Sequence, residues 1–260
     1  MTPETSSFIP SGLREITRVP IDKLAERLVK AYPAINPNAI TLLGGLCSEI
    51  ASKAAKDGNT LASIAFGSAS LGLDGLDGAV ARALKKIFGR NNPLGDPLDT
   101  AVDKYSESKL AQTTMINALD DGNRLDAILA LLLAGSITLP ALFRALEKER
   151  GHKPNEAGEG GILGTIGTRQ IRGPALLLLA NLKNQPERVN PRTVASAALL
   201  AGNLYNGILR LLKSREPSPN LQTAESIRQA ALNKKVVAAL GTIMLTASIC
   251  TYLNHPKKTR

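Results

Sequence analysis

Residues 71–104 read LGLDGLDGAVARALKKIFGRNNPLGDPLDTAVDK, and their acidic spacing carries the reading of the whole chain. Asp74 and Asp77 lie three apart, Asp99 and Asp103 four apart. On helices both spacings put the pair on one face. Four carboxylates inside segments that are otherwise nearly uncharged would repel one another unless something neutralised them, which argues for bound divalent cations. With no His or thiolate nearby, two oxygen-seeking ions, Mg²⁺ or Mn²⁺, suit the set better than Zn²⁺. Gly72, Gly75 and Gly78 recur every three residues on one face. Each costs about 1 kcal/mol relative to Ala in a helix interior, so close approach of backbone to a ligand or to a neighbouring helix is expected there. Arg82, one turn beyond, offers a fixed cation to a phosphate. Taken singly, either acidic pair is also what a solvated helix face with caps and turns would show.

The composition around this stretch pulls two ways. The chain has 260 residues, 32 Lys+Arg against 22 Asp+Glu, a net charge of +10, 43% hydrophobic residues, 3% aromatic and no Trp. The apolar fraction is too high for a disordered chain, and the length suits one large domain or two small ones. Cys47 and Cys250 are far apart, which supports neither a disulfide framework nor a thiolate zinc site, and His152 and His255 make histidine metal sites and Ser/His/Asp triads improbable. A mean hydropathy of -0.02 with a basic balance points to a soluble helical protein that binds nucleic acid. That average hides a segregation. Long uncharged stretches run from Ala31 to Ser48, Gly58 to Leu73, Ala127 to Phe143, Thr193 to Leu209 and Val236 to Pro256. Against the roughly 18 to 20 apolar residues needed to cross a bilayer, the last is a clear span and two others fall just short. The lack of Trp leaves no aromatic belt to read.

Residues 1–12 contain no apolar run of signal-peptide length, so no cleavable secretory signal is expected. After Pro20, Ile21, Leu24, Leu28 and Val29 share one helical face with Lys23, Arg27 and Lys30 interleaved; such a helix either lies on an anionic lipid surface or packs on a protein core. From Pro37 onward no stretch alternates with period two for long. Six long helices are predicted, roughly over 38–56, 60–87, 94–118, 125–148, 193–212 and 234–254, with a short turn at 120–123. The connection 151–191 is read as a long loop whose apolar piece, Ala175 to Leu182, is too short to span. If all six helices span, one set of connections carries 21 of the 32 Lys+Arg and the other 8, in agreement with a positive-inside bias. Five of those 8 fall between Lys213 and Lys235, on the wrong side for that topology.

Read together, the motif residues stand as D-x2-D-G-x2-A-R followed by G-x3-D-x3-D, carried by Asp74, Asp77, Gly78, Ala81, Arg82, Gly95, Asp99 and Asp103. The chance of all eight matching is on the order of one in a billion per starting position. This pattern resembles the CDP-alcohol phosphatidyltransferases, as does Pro37-Asn38-Ala39-Ile40-Thr41 at the start of the first long helix, similar to that family's Pro-Asn-x-x-Thr opening. The resemblance implies an all-α, polytopic membrane enzyme with about six transmembrane helices, preceded by an N-terminal amphipathic interfacial helix. Its domains would be a juxtamembrane segment 1–36, a catalytic domain 37–255 and a basic tail 256–260. Such an enzyme transfers a phosphatidyl group from CDP-diacylglycerol to an alcohol and releases CMP, in phospholipid biosynthesis. By position, Asp74 and Asp99 would contact both Mg²⁺ or Mn²⁺ ions, Asp77 the first and Asp103 the second, with Asp103 also the general base. Asn38, Thr41, Gly78, Arg82 and Gly95 would hold the CDP-lipid. One departure is the twelve residues between Arg82 and Gly95, more than the family's usual spacing, which bears on any nucleotide contact carried by Ala83 to Leu94.

Lys104-Tyr105-Ser106-Glu107, and Arg169 with Arg172, resemble members that use a phosphorylated polyol such as inositol phosphate, where paired arginines hold the acceptor's phosphate. The same arginines would equally serve a cytoplasmic loop touching lipid headgroups. Asp103-Lys104 also resembles the branch that uses glycerol phosphate, so the acceptor stays open. The partners expected are CDP-diacylglycerol, an alcohol and the bilayer, with a homodimer as an option and no nucleic acid. The active site is expected to face the cytoplasm. Two alternatives stand beside this reading: the soluble nucleic-acid-binding protein, and a non-catalytic membrane relative suggested by the long Arg82–Gly95 spacing.

Overall fold

Local capping chemistry sets the helix boundaries. The computed structural model describes residues 11–150, 169–182, 190–213 and 224–256, and every regular element among them is a helix. Nine are described: α1 (Ser11–Ala31), α2 (Pro37–Lys56), α3 (Thr60–Phe88), α4 (Gly95–Asp120), α5 (Arg124–Ser136), α6 (Leu139–Glu149), α7 (Arg169–Asn181), α8 (Pro191–Lys213) and α9 (Ala224–Asn254). Asn36 caps α2, its side chain accepting from the Asn38 amide at 3.0 Å, and Pro37 takes the first turn, where a missing N–H is harmless. Asn59 caps α3 by accepting from Ala62, and Asn123 caps α5 by accepting from Asp126, each at 3.1 Å. Gly89, at φ +66°, ends α3 in the left-handed conformation that glycine adopts without strain. Between α5 and α6, Pro140 has no N–H for the Ser136 carbonyl, and there an otherwise continuous rod divides.

From α2 onward the rods alternate in direction. Thr41 of α2 meets Asp77 of α3 at one end, while Ser63 of α3 meets Asn181 of α7 at the other. Arg210 pairs with Glu147 at the first end, and Asp126 takes a hydrogen bond from Thr193 at the far one. The last helix runs from Asn233, 2.8 Å from Asp96, to His255, 3.7 Å from Asp120. Counting α5–α6 as one rod, the bundle has seven passes among the described residues.

Six of these match the predicted helices closely, except that α9 begins about ten residues early. The seventh, α7, lies in what the sequence suggested was a loop. At 13 residues it is about 20 Å long, too short for a bilayer core of ~30 Å, yet Leu176, Leu177, Leu179 and Ala180 are buried in the main core. Its presence corrects the topology. Lys234, in the segment placed on the wrong side, lies at the first end, 2.5 Å from Glu149. Arg192 lies instead at the far end, 2.9 Å from Asp121. The far end then carries Lys53, Lys56, Arg124 and Arg192, whereas the first end carries the basic residues of α1, the α3–α4 turn, the end of α6 and the start of α9.

Among the described residues two stretches are long and apolar enough to cross a membrane, Arg124–Glu149 and Ala230–Asn254. Outward-facing Leu61, Leu132, Ile243 and Leu253 give the bundle an apolar exterior. The N-terminal helix packs on protein: Ala25 and Val29 are fully buried against Ala79, Val80, Ala83 and Leu84 of α3, while Leu24, expected on the same face, points outward. Lys86, bonded to Glu26 at 2.7 Å, lowers the pKa of that carboxyl.

Half of the buried apolar residues described are alanine, so helices approach closely. The tightest glycine contacts on α2, α3 and α9 do not fall on the run Gly72, Gly75 and Gly78. A Cβ on Gly67 would stand 2.5 Å from Leu177, on Gly45 2.9 Å from Val102 and on Gly241 2.7 Å from Thr138, whereas at Gly72 it would meet nothing within 4 Å. Gly67→Val should therefore destabilise the protein by about 1–3 kcal/mol through overpacking of α3 on α7. The check is thermal unfolding in detergent, and in a Leu177→Ala background the same valine should be tolerated better.

Candidate active site

α3 and α4 run antiparallel, and this puts the two acidic pairs of the sequence side by side. One carboxylate oxygen from each of Asp74, Asp99 and Asp103 lies within 4.8 Å of the others. Such a converging, all-oxygen donor set fits a hard divalent cation. Asp77, one turn beyond Asp74, stands outside this group of three; it is 5% exposed and accepts a hydrogen bond from the Thr41 hydroxyl of α2. Both ends of that bond are residues the sequence singled out.

The other expected site residues gather around the same end. Asn38 accepts from the side-chain amide of Asn92 at 2.6 Å, and a Cβ on Gly95 would collide with that amide at 2.8 Å. Gly78 leaves room for Arg82, whose guanidinium would be 3.4 Å from a Cβ there. Arg82 donates to Asp22 of α1 at 2.8 Å. The long Arg82–Gly95 spacing is absorbed without moving the aspartates apart: α3 continues to Phe88, Arg90 donates to the Pro33 carbonyl at 2.8 Å, and Asn92 returns the chain to the start of α2.

Arg169 begins α7, and its side chain lies outside the described residues. Arg172 is not on a cytoplasmic loop touching headgroups; it is 2% exposed and held inside the bundle. Its guanidinium meets Glu107 at 2.8 and 3.0 Å and Asn203 at 2.8 Å, while Lys104 meets the same Glu107 at 2.7 Å. Glu107, read in the sequence only as the end of the Lys104-Tyr105-Ser106-Glu107 resemblance and given no site role there, is the neighbour that the structure adds to the aspartates. The signal was present, since Asp99, Asp103 and Glu107 follow one another at intervals of four and continue one helical face.

A cleft open to solvent runs from the carboxylates between α2, α3, α4 and α7. Asp74, Asp77, Asp103 and Glu107 line its acidic wall, Ser48, Ser70 and Ser106 add hydroxyls, and Leu71, Leu110 and Leu177 close its apolar part. The site thus joins an acidic end to a mixed polar and apolar recess.

Arg172 and Glu107 make opposite charges interdependent in the interior. Arg172→Met should lower stability by about 3–5 kcal/mol, because it leaves Glu107 short of a buried counter-charge. Arg172→Met combined with Glu107→Leu should recover part of the loss in a thermal melt.

No curated protein matches the sequence. Among solved structures, a similar fold is that of phosphatidylinositol phosphate synthase from Mycobacterium tuberculosis with CDP-DAG bound, at a TM-score of 0.57 and 19% identity, covering 78% of this chain and 98% of that one. A model of the CDP-alcohol phosphatidyltransferase family matches residues 34–202, the segment that contains α2, α3, α4 and all four motif aspartates. With the converging carboxylates and the motif both in that segment, the chain belongs to the CDP-alcohol phosphatidyltransferase family.

Proposed function

We propose that the protein transfers the phosphatidyl group of CDP-diacylglycerol to an alcohol acceptor and releases CMP, with its active site at the cytoplasmic face of a membrane. The observation that carries this reading is the convergence of Asp74, Asp99 and Asp103 at one end of an apolar helical bundle. Asp74 and Asp99 would hold two Mg²⁺ or Mn²⁺ ions between them, with Asp77 on the first and Asp103 on the second. When bound, such ions neutralise charge on the diphosphate and on the departing CMP.

The chain's own groups supply the rest. Asn38, Thr41, Gly78, Arg82 and Gly95 would hold the cytidine diphosphate, and their clustering around Asn92 and Asp77 supports that role. Asp103 would accept the proton of the acceptor hydroxyl as its oxygen attacks the phosphatidyl phosphorus and the bond to CMP breaks. The cleft lined by Asp103, Glu107 and the three serines would take an acceptor or part of the lipid. Arg172 would act through Glu107, keeping this wall in place. An acceptor phosphate held by Arg169 and Arg172 is the reading suggested by the paired arginines. The excess of basic residues at the site end supports a cytoplasmic orientation, and the seven passes support more spans than the two apolar stretches alone.

Purified protein given CDP-diacylglycerol, Mg²⁺ or Mn²⁺ and a panel of polyols and polyol phosphates should release CMP with at least one acceptor. Failure with every acceptor would sink the proposal. Asp103→Asn should lower kcat by about 10² or more, the loss expected of a general base, with CDP-lipid binding retained. Chelation by EDTA should abolish turnover, and added Mg²⁺ or Mn²⁺ should restore it.

A further inference from the structure

Arg82 is the motif cation expected to meet the diphosphate, and its partner in this structure comes from outside the segment matched by the family. Asp22 of α1 accepts from the Arg82 guanidinium at 2.8 Å, and one turn further Glu26 accepts from Lys86 at 2.7 Å. The two pairs are spaced by four residues on both helices, so α1 and α3 lie in register. Beneath them Ala25 and Val29 are fully buried on α3, which fixes α1 in place. The tip of Ile21 lies 3.6 Å from the Cβ position of Gly75, so α1 extends along α3 as far as the residue that follows Asp74.

Both charge pairs are largely exposed and contribute little to stability. Their geometry has a different use. A flexible arginine on an exposed face samples many rotamers, and ordering it on demand weakens ligand binding. Asp22 engages one end of the guanidinium, and Gly78 leaves clear the space beside the other nitrogen. A guanidinium has five N–H donors, so this single contact leaves several for a phosphate.

Resting on the reading that this site takes a CDP-linked lipid, we infer that Asp22 is a positioning residue: it holds Arg82 over Gly78 for the cytidine diphosphate and makes α1 a working wall of the nucleotide site. α1 is then part of the substrate-binding apparatus, whether or not its outer face also touches lipid.

The test uses the full chain in detergent micelles, with CDP-diacylglycerol binding measured directly and steady-state CMP release measured alongside. Asp22→Asn should weaken Kd and raise KM by the same factor, about three- to tenfold, with kcat held within about twofold. Asp22→Glu should recover most of the loss. Glu26→Gln, which breaks the neighbouring pair, should bind like the wild type. An Asp22→Asn variant with unchanged Kd overturns the inference, as does Glu26→Gln weakening binding equally, which would reduce both pairs to docking of α1. Wild-type protein that binds no CDP-lipid removes the underlying functional reading together with this one. Wild-type protein that binds but turns over no tested acceptor leaves the reading of the reaction at fault, and the Kd comparison still decides the role of Asp22.

Discussion

Holding like charges together is the constraint on which this structure turns. Ionised carboxylates 4.8 Å apart repel by on the order of 3 kcal/mol per pair at an effective dielectric near 20. A flexible scaffold would relax that repulsion by letting the aspartates drift apart. The bundle resists it with two antiparallel helices braced on both sides, by α2 through the Thr41–Asp77 bond and by α7 through Arg172. Glu107 is treated differently from its neighbours. Its charge is matched from within the protein by Lys104 and Arg172, so it extends the acidic face without adding an open negative charge to it.

Much of the site was legible in the sequence because helical periodicity converts spacing into geometry. The intervals 74–77 and 99–103 were enough to place each pair on a face, and the fold brings three of the four together. Asp77 was harder to place, since nothing in linear spacing shows that a threonine thirty-six residues earlier would engage it. The fold was legible where helices are long and their ends carry Asn or Gly caps, as at Asn36, Asn59 and Gly89. It was not legible at α7. There Gly173 and Pro174 read as loop residues, and only tertiary burial of Leu176, Leu177 and Leu179 makes a short helix worth forming. Missing that one element reversed the expected direction of everything after it, including the side on which Lys234 lies.

The segment matched by the family and the bundle do not coincide. α1 precedes residue 34 and α9 follows residue 202, yet both touch the end that holds the aspartates, α1 at Arg82 and α9 at Asp96 and Glu149. The extra residues before Gly95 also turn back onto α2 rather than projecting away from it. α1, α9 and the turn before Gly95 therefore adjoin the carboxylates at the rim of the site rather than between them.

The alanine-rich core carries one more consequence. Freezing a buried side chain costs up to about 1.5–2 kcal/mol for long flexible residues and nothing for alanine, which has no rotamers to lose. Ala79 and Ala83 beneath α1, and Ala111, Ala118, Ala127 and Ala130 between α4 and α5, therefore let the helices near the carboxylates settle at little side-chain entropy. Backbone contact does the filling that large rings do elsewhere, and that gives a physical account of how a chain of this size orders its interior without a single tryptophan.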